Sequence, residues 1–239
     1  MRARASVVVE RVGHRDRCTT LLSSPPLTVR NTPDGLFLVA SGAGPVGGDE
    51  LAVDLAVEPG AGATVRSAAA SLVLPGPAGQ PSSMRVHARV GGDLRWLPEP
   101  TVLVQGCEHA TVAHVDVEAG GSLLWREEVV LGRHGEPSGS LLQRLRVDVG
   151  GRPLLRNELR VGPRWPGADG PAGLDGAGAV GSLLGVGVGP PPGVPNAAPS
   201  RAAVATLSPT AWLLTAVAED ALALRRSLDE ATSHVVAHA

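Results

Sequence analysis

The sequence predicts a mostly β protein, a two-layered, β-helix-like stack of hairpins with a helical C-terminus. Three observations carry this prediction. Glycines recur at 62, 92, 121 and 151, every 29 or 30 residues. Each lies between short runs in which apolar and polar residues alternate. One segment near the C-terminus shows helical spacing instead.

The first element is the apolar run Gly35–Ala40, read as a strand. The repeats follow. Leu51–Val57, Arg85–Val90, His114–Glu118 and Leu145–Val149 each alternate with period two, and each runs through a Gly-containing turn into a second short run. Val53, Leu55 and Val57 share one face, as do Val86, Ala88 and Val90, and this periodicity is the strand signal. A Gly-Gly pair between two such runs reads as a hairpin turn, because Gly adopts φ > 0 without a Cβ penalty. Residues 51–161 therefore read as four successive hairpins, which bury their apolar faces only by stacking. Trp96 and Trp125 occupy equivalent repeat positions and read as core.

Residues 163–203 are rich in Gly, Pro and Ala and read as a loop region, with a possible strand at 180–186. Ser208-Pro209 reads as N-cap and N1 of a helix over 208–231, with Leu213, Val217, Ala221, Leu224 and Leu228 on one face. The expected organisation is a single domain over 1–239, with its repeat core at 35–162.

Composition narrows function. Net charge is −2, so no basic face for nucleic acid is implied. All 21 basic residues are Arg, which removes lysine nucleophiles and the P-loop lysine. No apolar run reaches the about 20 residues that span a bilayer, and Met1–Val12 lacks the apolar core of a signal peptide. A cytoplasmic protein is expected, in which Cys18 and Cys107 are reduced thiols.

Gly42–Gly47 matches G-x-G-x-x-G, but the run after it is a strand rather than the helix a dinucleotide fold needs. Cys107-Glu-His109 places a thiol and an imidazole at i and i+2, on one face of a strand and within reach of one soft metal. Asp49, Glu50, Glu127, Glu128 and Glu136 read either as solvated surface or as a weak, oxygen-lined path for a divalent ion. Glu127 and Glu128 are adjacent, so on a strand they point to opposite faces.

Several segments share motifs with one known family. Ser41-Gly-Ala-Gly-Pro-Val-Gly-Gly-Asp-Glu-Leu51, Val57-Glu-Pro-Gly-Ala61, Trp96-Leu-Pro-Glu-Pro-Thr-Val-Leu103, Leu131-Gly-Arg-His-Gly-Glu136 and Gly151–Arg160 occur in order. In this the chain resembles the urease accessory protein UreD (UreH) family over about residues 35–162. It departs from the family pattern at Ser67–Leu74, which has neither Gln nor Tyr.

The resemblance implies an all-β scaffold that is not an enzyme. It implies binding to apo-urease and to UreF, which recruits the GTPase UreG, with no tightly bound cofactor. Nickel in transit would pass through an internal polar tunnel. Asp49 is the leading expected tunnel residue, followed by Glu50 and Glu136, with Cys107 and His109 as soft-ligand alternatives. The rival readings are a β-solenoid enzyme acting on carbohydrate and a metal-independent interaction module.

Overall fold

The computed structural model describes residues 1–77, 79–193 and 200–237. Among the described residues, seventeen strands form two facing sheets, and one helix follows them. In chain order the strands are β1 Arg2–Val12, β2 Arg15–Ser23, β3 Leu27–Thr32, β4 Gly35–Ala40, β5 Glu50–Val57, β6 Gly62–Ser67, β7 Ser71–Val73, β8 Ser82–Val90 and β9 Asp93–Leu97. Then come β10 Thr101–Leu103, β11 Glu108–Val117, β12 Ser122–Val130, β13 Ser140–Val149, β14 Arg152–Val161, β15 Ala179–Val186, β16 Ser200–Ser208 and β17 Ala211–Ala218, with helix α1 at Ala221–Ala237.

The seven-stranded sheet runs β14-β13-β11-β8-β5-β1-β2, and the ten-stranded sheet runs β16-β17-β15-β12-β9-β6-β4-β3, with β10 beside β12 and β7 beside β10. The repeat is visible in the pairing. β5, β8, β11 and β13 lie parallel in one sheet, while β6, β9 and β12 lie parallel in the other.

This corrects the hairpin reading. Three of the four repeat units are arcs, in which the glycine turn carries the chain from one sheet to the other. Only β13–β14 is a hairpin with antiparallel pairing. The turn conformations give the reason. A two-residue type I′ hairpin turn needs φ > 0 at both central residues. Gly150 and Gly151 meet that need, at 55° and 74°. In the Gly91-Gly92 turn neither residue has positive φ, and in the Gly120-Gly121 turn only Gly120 does. The arcs hydrogen-bond to one another instead: the Asp93 amide donates to the Ala61 carbonyl at 2.8 Å and the Ser122 amide to the Gly92 carbonyl at 2.9 Å.

Arcs turn the apolar faces of successive strands toward each other. Val53, Leu55, Val86, Val115, Leu123 and Trp125 belong to one buried cluster between the sheets. Trp96 and Trp125, in register on β9 and β12, stack with centroids 4.7 Å apart and planes 7° from parallel.

The predicted helix over 208–231 is also corrected. Ser208–Ala211 is the turn between β16 and β17, Leu213 and Val217 lie on β17, and the helix starts thirteen residues later than predicted, at Ala221. The same apolar spacing served both states: Leu213 and Val217 are also i and i+4 on a strand, where they share a face. Asp220 caps the helix, its carboxylate accepting from the Ala223 amide at 2.8 Å. Leu224, Leu228, Ala231 and Val235 of α1 then cover the outer face of the ten-stranded sheet against Leu124, Leu183 and Leu214. That cover explains why β12 and β15 are buried on both faces.

The predicted strands at 35–40 and 180–186 are present as β4 and β15. The long N-terminal hairpin β1–β2, which the sequence reading assigned to no element, adds its strands to the edge of the repeat sheet by parallel pairing of β1 with β5. Among the described residues no helix is long and apolar enough to cross a membrane.

Candidate functional site

The parallel repeat leaves a cavity of about 230 Å³ between the sheets, beside the glycine loop that precedes β5. Its floor is apolar, with Leu51, Val86, Ala113 and the two stacked tryptophans. Its polar groups are Asp49, His109, Thr111, Glu127 and Gln143, with Glu99 and Glu128 at one side. A space of this size holds several waters, and such a lining satisfies them.

Asp49 sits at the end of the glycine loop and is buried. Its Oδ1 accepts from the terminal ammonium of Met1 at 2.5 Å, and its Oδ2 accepts from the Val46 amide at 2.9 Å. Burial pushes its carboxyl up, but these two hydrogen bonds and the ammonium charge outweigh that and hold it below the usual range. Close packing of the loop needs glycine, since a Cβ at Gly47 would lie 2.3 Å from the Gln80 carbonyl oxygen.

His109 enters the cavity from β11, with Nδ1 2.8 Å from Ser82 Oγ. Burial lowers its pKa to about 4, a shift only partly offset by its hydrogen bond to Ser82, so the ring is neutral at neutral pH. Glu127 enters from the middle of β12. Burial raises its carboxyl to about 7. Gln143 and the Trp125 indole N–H, which is buried without a well-aligned hydrogen bond, pull it back only in part. Glu128 points the other way, toward α1, where its Oε1 lies 2.8 Å from Arg126 Nε and 3.2 Å from Arg225 Nη2.

The structure thus brings Asp49, His109 and Glu127 to one cavity, with Glu128 at its side, and places Glu50, Glu136 and Cys107 away from it. Glu50 faces outward and pairs with Arg2 at 3.1 Å. Glu136 closes a loop: its carboxylate accepts from the Arg133 side chain, at 2.8 and 3.0 Å, and from the Arg133 and Gln105 amides. The Arg133 guanidinium holds its pKa at about 2. Cys107 lies just ahead of β11 rather than on it, and although buried like His109 it belongs to an apolar cluster with Val73, Leu103 and Leu141. Burial pushes its thiol up to about 11, so the thiol is protonated at neutral pH.

Gln143 and Thr111 were not foreseen as polar lining, since each is one polar residue in an ordinary strand pattern. Glu127 carried a stronger signal. Arg126-Glu127-Glu128 interrupts the apolar run Leu123–Val130, and a charged triplet inside a strand with apolar flanks on both faces must be buried with partners.

The model of the family described as UreD urease accessory protein matches residues 1–238. A "Urease accessory protein UreD" of Parafrankia sp. is 41% identical, with 96% of this chain and 87% of the relative covered. One from Streptomyces coelicolor is 44% identical over 86% and 85% of the two chains. "Urease accessory protein UreD 1" of Saccharopolyspora erythraea is 35% identical over 98% and 95%. These relatives carry the name of an accessory protein, not of a catalyst, which displaces the carbohydrate-enzyme reading. With residues 1–238 matched, the chain belongs to the UreD urease accessory protein family.

Proposed function

We propose that this protein is a non-enzymatic urease maturation factor that binds apo-urease together with UreF and UreG, and that the cavity between its sheets forms part of the path by which nickel reaches the urease active site. The observation that carries the reading is the polar lining of that cavity, in which Asp49, His109 and Glu127 converge between two otherwise apolar sheets. Carboxylate and neutral imidazole oxygen and nitrogen donors hold a divalent ion without the tight grip of thiolates, as transit requires.

The test is urease activation in cells at limiting nickel. Glu127→Gln and Asp49→Asn should still co-purify with urease and the accessory partners, yet reduce activation several-fold. Wild-type activation by both variants would remove the cavity from the nickel path.

A second reading has a specific observation behind it. Both carboxylate oxygens of Asp49 are already engaged, Oδ1 by the terminal ammonium of Met1 and Oδ2 by the Val46 amide of the glycine loop, so Asp49 is also a structural anchor in a metal-independent scaffold. On that reading Asp49→Asn alters partner binding before it alters nickel dependence.

A further inference from the structure

We propose that His87, His114 and Asp116, on the outer face of the seven-stranded sheet, form a second site, for a borderline divalent transition ion such as nickel, zinc or cobalt. The site is separate from the cavity and does not rest on the nickel-path reading. Parallel in-register pairing builds it. His87 on β8 and His114 on β11 are direct register partners, so their side chains project side by side. Asp116 lies two residues beyond His114 and therefore on the same face. The adjoining cavity residues of β11, His109, Thr111 and Ala113, face the opposite side of the sheet.

The ligand atoms already converge. His87 Nε2 is 3.1 Å from Asp116 Oδ2, and His114 Nε2 is 3.5 Å from Asp116 Oδ1. One ligand atom from each of the three residues falls within 4.8 Å of the others. An ion held at about 2.0–2.2 Å by nitrogen and oxygen needs donors roughly 3–3.5 Å apart, so donors that now lie within 4.8 Å of one another must draw slightly closer on binding. Two imidazoles and one carboxylate suit borderline ions and discriminate against magnesium and calcium.

The surrounding charges leave Asp116 available. Arg89 is held by Glu58 at 2.6 Å, Arg4 by Asp54 at 2.5 Å, Arg144 by Glu158 at 2.5 Å and Arg156 by Asp148 at 2.5 Å. Among the described residues, the ion-pair partners of Asp116 are the two imidazoles. Arg146, the register neighbour of His114 on β13, is the cation that opposes metal binding here. Asp148, 2.8 Å from His114 Nε2 and fixed by Arg156, supplies a second carboxylate on the same side. In the metal-free protein the His114 Nε2–H donates to Asp148. To ligate, the ring takes the Nδ1–H tautomer, and Asp148 is freed to accept from a metal-bound water, a second-shell partner of the kind that orients ligands. Half-exposed side chains leave the remaining coordination positions to water, which makes the ion exchangeable.

The experiment titrates the purified, metal-free full-length chain with Co²⁺, read by its ligand-field absorption, and with Ni²⁺ against a chromogenic chelator. The wild type should bind one more equivalent than His87→Ala/His114→Ala. Asp116→Asn should weaken that equivalent about ten-fold or more. Asp49→Asn should leave it in place, and a large excess of Mg²⁺ should not displace it. Thermal unfolding of the surface variants should match the wild type, which separates ligand loss from misfolding. Equal stoichiometry and affinity in the wild type and the double histidine variant would overturn the proposal, as would displacement by Mg²⁺.

Discussion

Glu127 and His109 show how one cavity shifts two groups in opposite senses by the same cause. Burial disfavours charge, so the acid's pKa rises and the base's falls. Folded Glu127 keeps its proton to about pH 7, while an unfolded glutamate releases it near 4.5. The folded state therefore binds more protons between those values, and this residue's contribution to stability falls as pH rises through the window. Folded His109 stays neutral down to about pH 4, whereas the unfolded ring takes up a proton near 6.5. Its contribution rises with pH from about 4 to 6.5. In the wild type the two slopes oppose each other. Glu127→Gln should leave the His109 slope alone, so that urea-denaturation stability climbs more steeply between pH 5 and 6.5, and should be more stable than the wild type at pH 8. An unchanged pH profile would mean that Glu127 is solvated.

At the scale of elements, glycine decides the arcs. A Cβ at Gly92 would stand 2.0 Å from the Ala61 carbonyl oxygen, which is backbone of the neighbouring turn and has nowhere to go. A Cβ at Gly62 meets only the Asp16 carboxylate, at 3.5 Å, and φ there is not positive. Gly92→Ala should cost about 1–3 kcal/mol, as overpacking does, while Gly62→Ala should stay within about 0.5 kcal/mol of wild type in chemical denaturation.

Helix α1 is tied down by charge as well as by its leucines. Arg225 reaches Glu99 at 2.6 Å and Glu128 at 3.2 Å, and Asp229 takes Arg126 at 2.6 Å. Glu128 sits at the centre with 0% of its side chain exposed. Glu128→Ala would leave the Arg126 guanidinium buried and the inner end of Arg225 without a carboxylate. A loss of about 3–5 kcal/mol is expected, and a loss below 1 kcal/mol would show that water reaches this network.

For the whole molecule, the two sheets and the helix make two principal apolar layers: one between the sheets and one beneath α1. Ending the chain at Asp220 should uncover Leu124, Leu183 and Leu214 on the ten-stranded sheet while leaving the inter-sheet core intact. The truncated protein should bind a hydrophobic dye and self-associate, yet keep its β-sheet circular dichroism. Loss of the β signal would instead make the helix part of the folding core.

What the sequence determined by itself was local or periodic. Alternation placed the repeat strands, the 29–30-residue glycine spacing announced a stack of two facing layers, and the motif order pointed to the UreD family. The glycine loop was read correctly as the entry to a strand, because the residues after it alternate. Asp49 was singled out on its motif, and the structure puts it at the cavity. Glu50 and Glu136 were grouped with it because they are acids near turns, and composition says nothing about which turn faces inward. Pairing was what the tertiary structure alone decided. An arc and a hairpin share the same alternation and the same glycines; they differ in whether a strand's hydrogen bonds go to its neighbour in sequence or to its counterpart 30 residues away. The start of α1 was hidden for a similar reason, since residues four apart share a face on a strand as well as on a helix. The cavity, and the outer row of His87, His114 and Asp116, exist only once parallel register sets equivalent repeat positions side by side. That register is fixed by burial of the inner faces of both sheets, where a one-residue slip would turn every apolar side chain outward.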